Sequence, residues 1–157
     1  LAFGRIPAYC KYELFMERYR SAAEIIRNHV KLSADTKFLD VGCGEGYMKF
    51  FFDPTEGQWF GVERWKERID VCRNLGYEVV DIDINKTCLP YPNEVFDIVI
   101  ASHVIEHLSE IDFCLKEMDR VLKKCGLLLI GTPTKPPFIA WVINLFHRTQ
   151  YLSLIHI

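Results

Sequence analysis

The stretch FLDVGCGEG, residues 38–46, sets an acid, Asp40, ahead of three glycines on alternate positions, Gly42, Gly44 and Gly46. Glycines there remove side chains, so a ligand can lie against the backbone, and N–H groups at the start of a following helix suit an anion. A dinucleotide loop reads G-x-G-x-x-G and cradles a pyrophosphate. Here the spacing is G-x-G-x-G, and Asp40 and Glu45 place two carboxylates beside it. That pairing suits a ligand that brings positive charge. Glu63 follows at the end of the strand-like run QWFGV, where an acid accepts the hydroxyls of a ribose. Asp81 and Asp83 offer further carboxylates, and chemistry alone does not choose between them. The segment SHVIEHL, residues 102–108, carries Ser102, His103, Glu106 and His107. H-x-x-E-H can share a metal when it lies on a helix. This one follows an apolar strand, so no metal is expected, and the histidines are candidates for positioning or proton transfer.

These residues need elements to hold them. From Tyr12 to Val30 the apolar positions Phe15, Met16, Tyr19, Ala22, Ala23 and Ile26 recur at helical spacing. KFLDVG predicts a buried strand, and YMKFFF the start of a helix. QWFGVE predicts a second strand, WKERIDVCRNLG a helix stopped at Gly76, and YEVVDIDI a third strand. VFDIVIASHV is nearly all apolar, as strands buried on both faces are. SEIDFCLKEMDRVLKKCG predicts a helix with a capping box from Ser109 to Asp112, lysines at its end and Gly126 as its stop. LLLIGTP predicts a fifth strand and PPFIAWVINLFHR a last helix. Strands alternating with helices predict a doubly wound, Rossmann-like α/β sheet. In such a sheet ligands bind at the carboxyl ends of the strands, which is where these acids, glycines and histidines fall.

The whole chain sets bounds on partners. It has 157 residues, half of them hydrophobic, which suits one domain with a core of its own. A net charge of −2 gives no basic excess, so no nucleic-acid partner is expected. Six cysteines are scattered without a C-x-x-C pair, which predicts neither a zinc ribbon nor a disulfide framework and favours a reducing, cytoplasmic setting. The apolar run FIAWVINLF is too short to span a bilayer, although it leaves room for peripheral membrane contact. Oligomeric state is not legible.

FLDVGCGEG, then GVE, then LPYPNEVFDIVIASHVIEHL and EMDRVLKKCGLLLIGTP, resemble a class I S-adenosylmethionine-dependent methyltransferase, most of all its small-molecule group. The resemblance runs from Lys37 to Pro133. It implies S-adenosyl-L-methionine as cofactor and a small-molecule methyl acceptor, with a quinone, lipid or glycan precursor among the candidates. Gly42, Cys43, Gly44 and Gly46 would then meet the cofactor's methionine half and Asp40 its ammonium. Glu63 would bind the ribose and Asp83 the adenine amino group, with Ile84 covering the ring and Asp81 as second choice. Ser102, His103 and His107 would form the wall by the reacting methyl, and Tyr9 or Tyr12 would close over the carboxylate. Members of the family continue past the fifth strand into a hairpin. The chain is accordingly expected to be one domain over residues 1–151, incomplete at its C-terminus, with about five parallel strands and 152–157 (LSLIHI) as a non-native tail. An inactive cofactor-binding scaffold is the alternative expectation, and an NAD(P)-dependent enzyme a more distant one.

Overall fold

Alternation of burial along the strands decides the architecture. In the computed structural model, which describes residues 8–132 and 151–156, Ile98 and Ile100 pack on one side of the sheet and Val99 and Ala101 on the other. Leu127 and Leu129 repeat this against Leu128 and Ile130. Side chains that alternate faces and are all apolar require cover on both faces, which helices supply.

The elements are α1 (Ala8–His29), β1 (Lys37–Val41), β2 (Gln58–Glu63), α2 (Lys66–Asn74), β3 (Glu78–Asp81), β4 (Phe96–Ser102), α3 (Ile111–Val121), β5 (Leu122–Thr132) and β6 (Tyr151–His156). The sheet order is β3-β2-β1-β4-β5-β6 and every pairing is parallel. The expected doubly wound α/β fold is therefore what the chain adopts. The direction of winding reverses between β1 and β4, which opens a crevice at their carboxyl ends. Ala22, Ala23 and Ile26 of α1 and Ile69 and Cys72 of α2 cover one face, where Phe38 stacks on Trp59 at 4.2 Å. Cys114, Leu115, Met118 and Val121 of α3 cover the other.

Several local expectations differ from the structure. The segment after the glycines is a single 3-10 stretch, Tyr47–Phe51, and not the first turn of a long helix. α3 ends at Val121, five residues before Gly126, because Lys123 is drawn into β5, where its ammonium sits 2.6 Å from Asp97. The capping box at Ser109 does not form, and α3 has no side-chain cap of its own. Asn85 Oδ1 accepts from the Ser109 amide at 2.9 Å and the Ser109 hydroxyl at 3.2 Å instead, so a distant loop holds this entry. The polar β3–β4 connection is fixed from α3 by Arg120, which donates to the carbonyls of Leu89 (2.9 Å) and Tyr91 (2.8 Å) while it pairs with Glu117. Residues 152–156, read from sequence as a tail, add with Tyr151 a sixth strand in register from Leu127↔Tyr151 to Thr132↔His156. The predicted helix over 136–148 lies outside the described residues. No described helix is long and apolar enough to cross a membrane.

Candidate functional site

β1 ends on Val41, and the chain turns at once through three left-handed residues, Gly42 (φ 67°), Gly44 (φ 55°) and Gly46 (φ 76°). That region is open to glycine at little cost and closed to most side chains. The three differ in what surrounds them. A Cβ on Gly42 would lie 2.5 Å from Val104 Cγ2, so this glycine lets the β4 loop close over the turn. A Cβ on Gly46 would meet Cys72, Tyr77 and Leu75 at 3.0–3.2 Å, a packing constraint from α2 and its exit. Around Gly44 nothing lies within 4 Å. Only Gly44 therefore offers bare backbone to open space.

The loop is tied to β2 by one side chain. Glu63 is 7% exposed, and its Oε2 accepts from the Gly44 amide at 3.0 Å. Its Oε1 accepts from the amides of Arg64 (2.8 Å) and Trp65 (3.1 Å). One carboxylate thus takes three backbone donors from two loops. Cys43 points away from solvent, and its sulfur lies 3.4 Å from that of Cys72, whose thiol also reaches the Gly44 carbonyl at 3.3 Å. The Cys72 hydrogen bond and burial push the Cys43 thiol well above its ordinary range, so it stays protonated.

A cleft of about 330 Å³ opens at the carboxyl ends of β1, β2, β3 and β4. Among the predicted residues Gly42, Glu63, Asp83, Ile84, His103 and His107 line it. Asp40, Cys43, Gly44, Gly46 and Ser102 do not line it and sit behind or beside it. The size falls within the roughly 300–1,000 Å³ range of small-molecule sites. Asp83, just past β3, accepts from the Asn85 amide at 3.1 Å, and that bond is the main reason its carboxyl is held below its ordinary range. Asp81, the other candidate, is exposed at the end of β3 and is not in the lining.

Asp40 is 5% exposed and accepts from the Tyr77 hydroxyl at 3.3 Å. Burial pushes its carboxyl up to about 7, with the Tyr77 bond opposing and the Glu63 charge adding to the rise. Residues that sequence spacing missed complete the site. Arg64, Trp65 and Arg68 form one wall of the cleft, with the Arg64 guanidinium 5.5 Å from the Trp65 ring centre. From α1, Arg18 comes close enough to His103 for its charge to act on the ring, and it reaches the Tyr19 hydroxyl at 3.4 Å. The residues flanking a strand-end acid were the legible signal for Arg64 and Trp65; no local pattern marks Arg18. Side chains of Tyr9 and Tyr12 lie outside the described residues.

His103 adopts φ 56°, unusual for a side-chain-bearing residue. Its amide donates to the Gly131 carbonyl of β5 at 2.7 Å, which holds the bend in place. His107 is exposed at the same mouth. No group of three histidine, cysteine or acidic residues among the described residues is arranged to hold a metal.

Comparison with known proteins identifies the family and the fold. Residues 39–130 match the family described as methyltransferase domain. A ubiquinone biosynthesis O-methyltransferase of Pelagibacter ubique is 28% identical over 118 residues, covering 70% of this chain and 47% of that protein. An uncharacterized methyltransferase of Bacillus subtilis, YcgJ, is 29% identical over 124 residues, covering 74% of this chain and 49% of the relative. The chain thus spans about half the length of these curated relatives. The crystal structure of a SAM-dependent methyltransferase from Aquifex aeolicus superposes with a TM-score of 0.61 at 16% identity, over 82% of this chain and 86% of that one, a likeness of fold.

Proposed function

The chain belongs to the class I S-adenosylmethionine-dependent methyltransferases, and from that premise we propose that it holds S-adenosylmethionine in the cleft and passes its methyl group to a small-molecule O, N or C nucleophile. The observation that carries this is the open backbone at Gly44 beside a cleft lined by Glu63 and Asp83. Backbone without side chains fits the methionine half, and acids fit the ribose hydroxyls and the adenine amino group. The bound cofactor supplies an electrophilic methyl on sulfur. The protein's part is alignment, worth roughly 7–11 kcal/mol in favourable cases.

Each residue has a task in this reading. Glu63 accepts from the ribose. A carboxylate has about four acceptor positions, and three are in use, so one hydroxyl adds directly and a second must take the place of a backbone donor. Asp83 faces the adenine edge, with Ile84 on the ring. Gly42, Cys43, Gly44 and Gly46 shape the turn for the methionine end, and Ser102, His103 and His107 form the acceptor wall. Arg18 serves the cofactor carboxylate from α1, the place first expected for Tyr9 or Tyr12. A near-neutral charge balance supports a small molecule over a nucleic acid, and scattered cysteines support a cytoplasmic setting. Calorimetric titration with S-adenosylhomocysteine and with NAD decides the cofactor. Saturation by S-adenosylhomocysteine alone is expected; saturation by NAD alone sinks the reading.

Asp40 adds a pH dependence. A carboxyl held near 7 by burial keeps its proton longer in the folded chain than in the unfolded one, so by itself it lowers stability as pH rises from about 4 to 7. A ligand ammonium favours the ionised form, so binding releases that proton and tightens with pH. S-adenosylhomocysteine, which carries the ammonium without the sulfonium, is expected to bind about tenfold more weakly at pH 6 than at pH 8. Asp40→Asn is expected to flatten that slope. A flat profile in the unaltered protein would remove Asp40 from the ammonium.

A further inference from the structure

The donors at the entry of α3 leave their own helix. The Ser109 amide (2.9 Å), the Ser109 hydroxyl (3.2 Å) and the Glu110 amide (3.3 Å) all converge on Asn85 Oδ1. Asn85 follows Asp83 by two residues and lines the cleft with it. Its Nδ2 donates to Asp83 Oδ1 at 3.2 Å, and its backbone amide donates to the same oxygen at 3.1 Å.

The two ends together fix which way this amide points. A carboxylate only accepts and a backbone N–H only donates, so the NH₂ faces Asp83 and the carbonyl faces residues 109 and 110. The reverse turn would set carbonyl against carboxylate and NH₂ against two N–H groups. The oxygens of Asp83 are thereby made unequal. Oδ1 is taken by Asn85. Oδ2 faces the Arg64 guanidinium at 3.9 Å and the Lys86 ammonium at 3.6 Å, both exposed and both beyond hydrogen-bond length, so it is the oxygen left for a ligand. On the other side, Ser109 directly follows His107 and Leu108, which line the cleft. Further ties join the same loop to α3: the Cys114 thiol reaches the Ile84 carbonyl at 3.2 Å, and Glu117 accepts from the Leu89 amide at 2.8 Å. Neither Cys114 nor Glu117 lines the cleft. Those ties anchor the loop; the Asn85 tie joins two walls of one cleft.

We propose that Asn85 is a positioning and specificity-determining residue: its NH₂ holds Asp83 with one oxygen free for a purine 6-amino group, and its carbonyl makes the segment carrying His107 and Leu108 respond to that contact. The proposal rests on the cofactor reading above and adds a link from the purine end to the acceptor wall. A 6-amino group donates to Oδ2, whereas a 6-oxo group sets another acceptor against it. A ligand that stops Asp83 from turning also stops Asn85, and through it Ser109 and Glu110. Order gained at one wall then lowers the freedom left to lose at the other. By linkage, cofactor and acceptor strengthen each other's binding by the same factor.

The test uses the full chain and two ligands that differ at the purine 6-position, S-adenosylhomocysteine and its 6-oxo counterpart S-inosylhomocysteine. Calorimetry on the unaltered chain is expected to favour the 6-amino ligand by at least about tenfold, because the other lacks a hydrogen bond to a charged group. Asn85→Asp keeps an acceptor for Ser109 and Glu110 but sets a second carboxylate against Asp83. Its Tm is expected to stay within about 4 °C of the unaltered chain. Its preference for the 6-amino ligand is expected to fall at least about threefold, which a residue that only anchored the helix would not cause. Amide exchange at Ser109 and Glu110, followed by NMR, is expected to slow about tenfold when S-adenosylhomocysteine saturates the unaltered chain, to slow less with S-inosylhomocysteine, and to stay unchanged in Asn85→Ala. An undiminished preference in Asn85→Asp overturns the proposal, as does equal binding of the two ligands by the unaltered chain, or exchange at Ser109 and Glu110 that ignores the ligand there. Each of these leaves the cofactor reading standing. Failure of the unaltered chain to bind either ligand overturns the cofactor reading and the proposal with it.

Discussion

Gly44→Val raises the dissociation constant for S-adenosylhomocysteine about a hundredfold, while the fold survives. The argument is steric on one side only. A Cβ at Gly44 meets nothing within 4 Å, so the side chain has room in the unliganded protein. Its cost there is the left-handed backbone at φ 55°, about 1–2 kcal/mol. For a chain of this length that lowers Tm by roughly 2–8 °C. The same three carbons occupy the space where ligand must touch the backbone, and overpacking of 1–3 kcal/mol there corresponds to about five- to 150-fold in affinity. Gly42→Val is the contrast. Its Cβ collides with Val104 at 2.5 Å in the free protein, so it loses stability first and more steeply. Differential scanning fluorimetry with and without ligand separates the two patterns. Binding by Gly44→Val within threefold of the unaltered chain would show that the open backbone is not the ligand's seat.

That contrast also marks what a sequence can and cannot show. Three alternate glycines after an acid announce a loop, because the residue types themselves carry the conformational demand. Their separate tasks do not show, since Val104, Cys72 and Tyr77, the atoms that would meet each Cβ, lie far along the chain. Strands β2 and β4 were legible to the residue or nearly so, because burial on both faces leaves a mostly apolar run. Helix ends were less so. The Ser109 capping box was a valid local pattern, yet Asn85 from another loop took the donors, and Lys123 followed Asp97 into β5. Competition from a distant partner is invisible to spacing. Arg18 escaped for the same reason: on α1 it reads as one more charge on a polar face, and only the tertiary fold brings its charge to bear on His103.

Glu63 carries the second large effect, and the choice of substitution matters. Glu63→Ala leaves the amides of Gly44, Arg64 and Trp65 without their acceptor. Bonds to a charged group contribute about 1.5–3 kcal/mol each, but Arg64 and Trp65 are exposed and their amides can turn to water. A net loss of roughly 2–4 kcal/mol remains, a fall in Tm of about 4–16 °C. Glu63→Gln looks conservative and is not. Both carboxylate oxygens accept, on opposite sides, and a glutamine has one acceptor and one donor group. Whichever way the amide turns, its NH₂ faces a backbone N–H, so Gln is expected to rescue little over Ala. Both variants are expected to weaken S-adenosylhomocysteine at least about tenfold, because the ribose loses its acceptor and the Gly44 turn loses its tether to β2. Ligand-induced stabilisation then shrinks with the logarithm of the lost affinity, which a thermal shift series over ligand concentration reads directly. A Gln variant with unaltered Tm and affinity would mean that the three amides find water as readily as carboxylate, and that the loop holds its shape through the glycines alone.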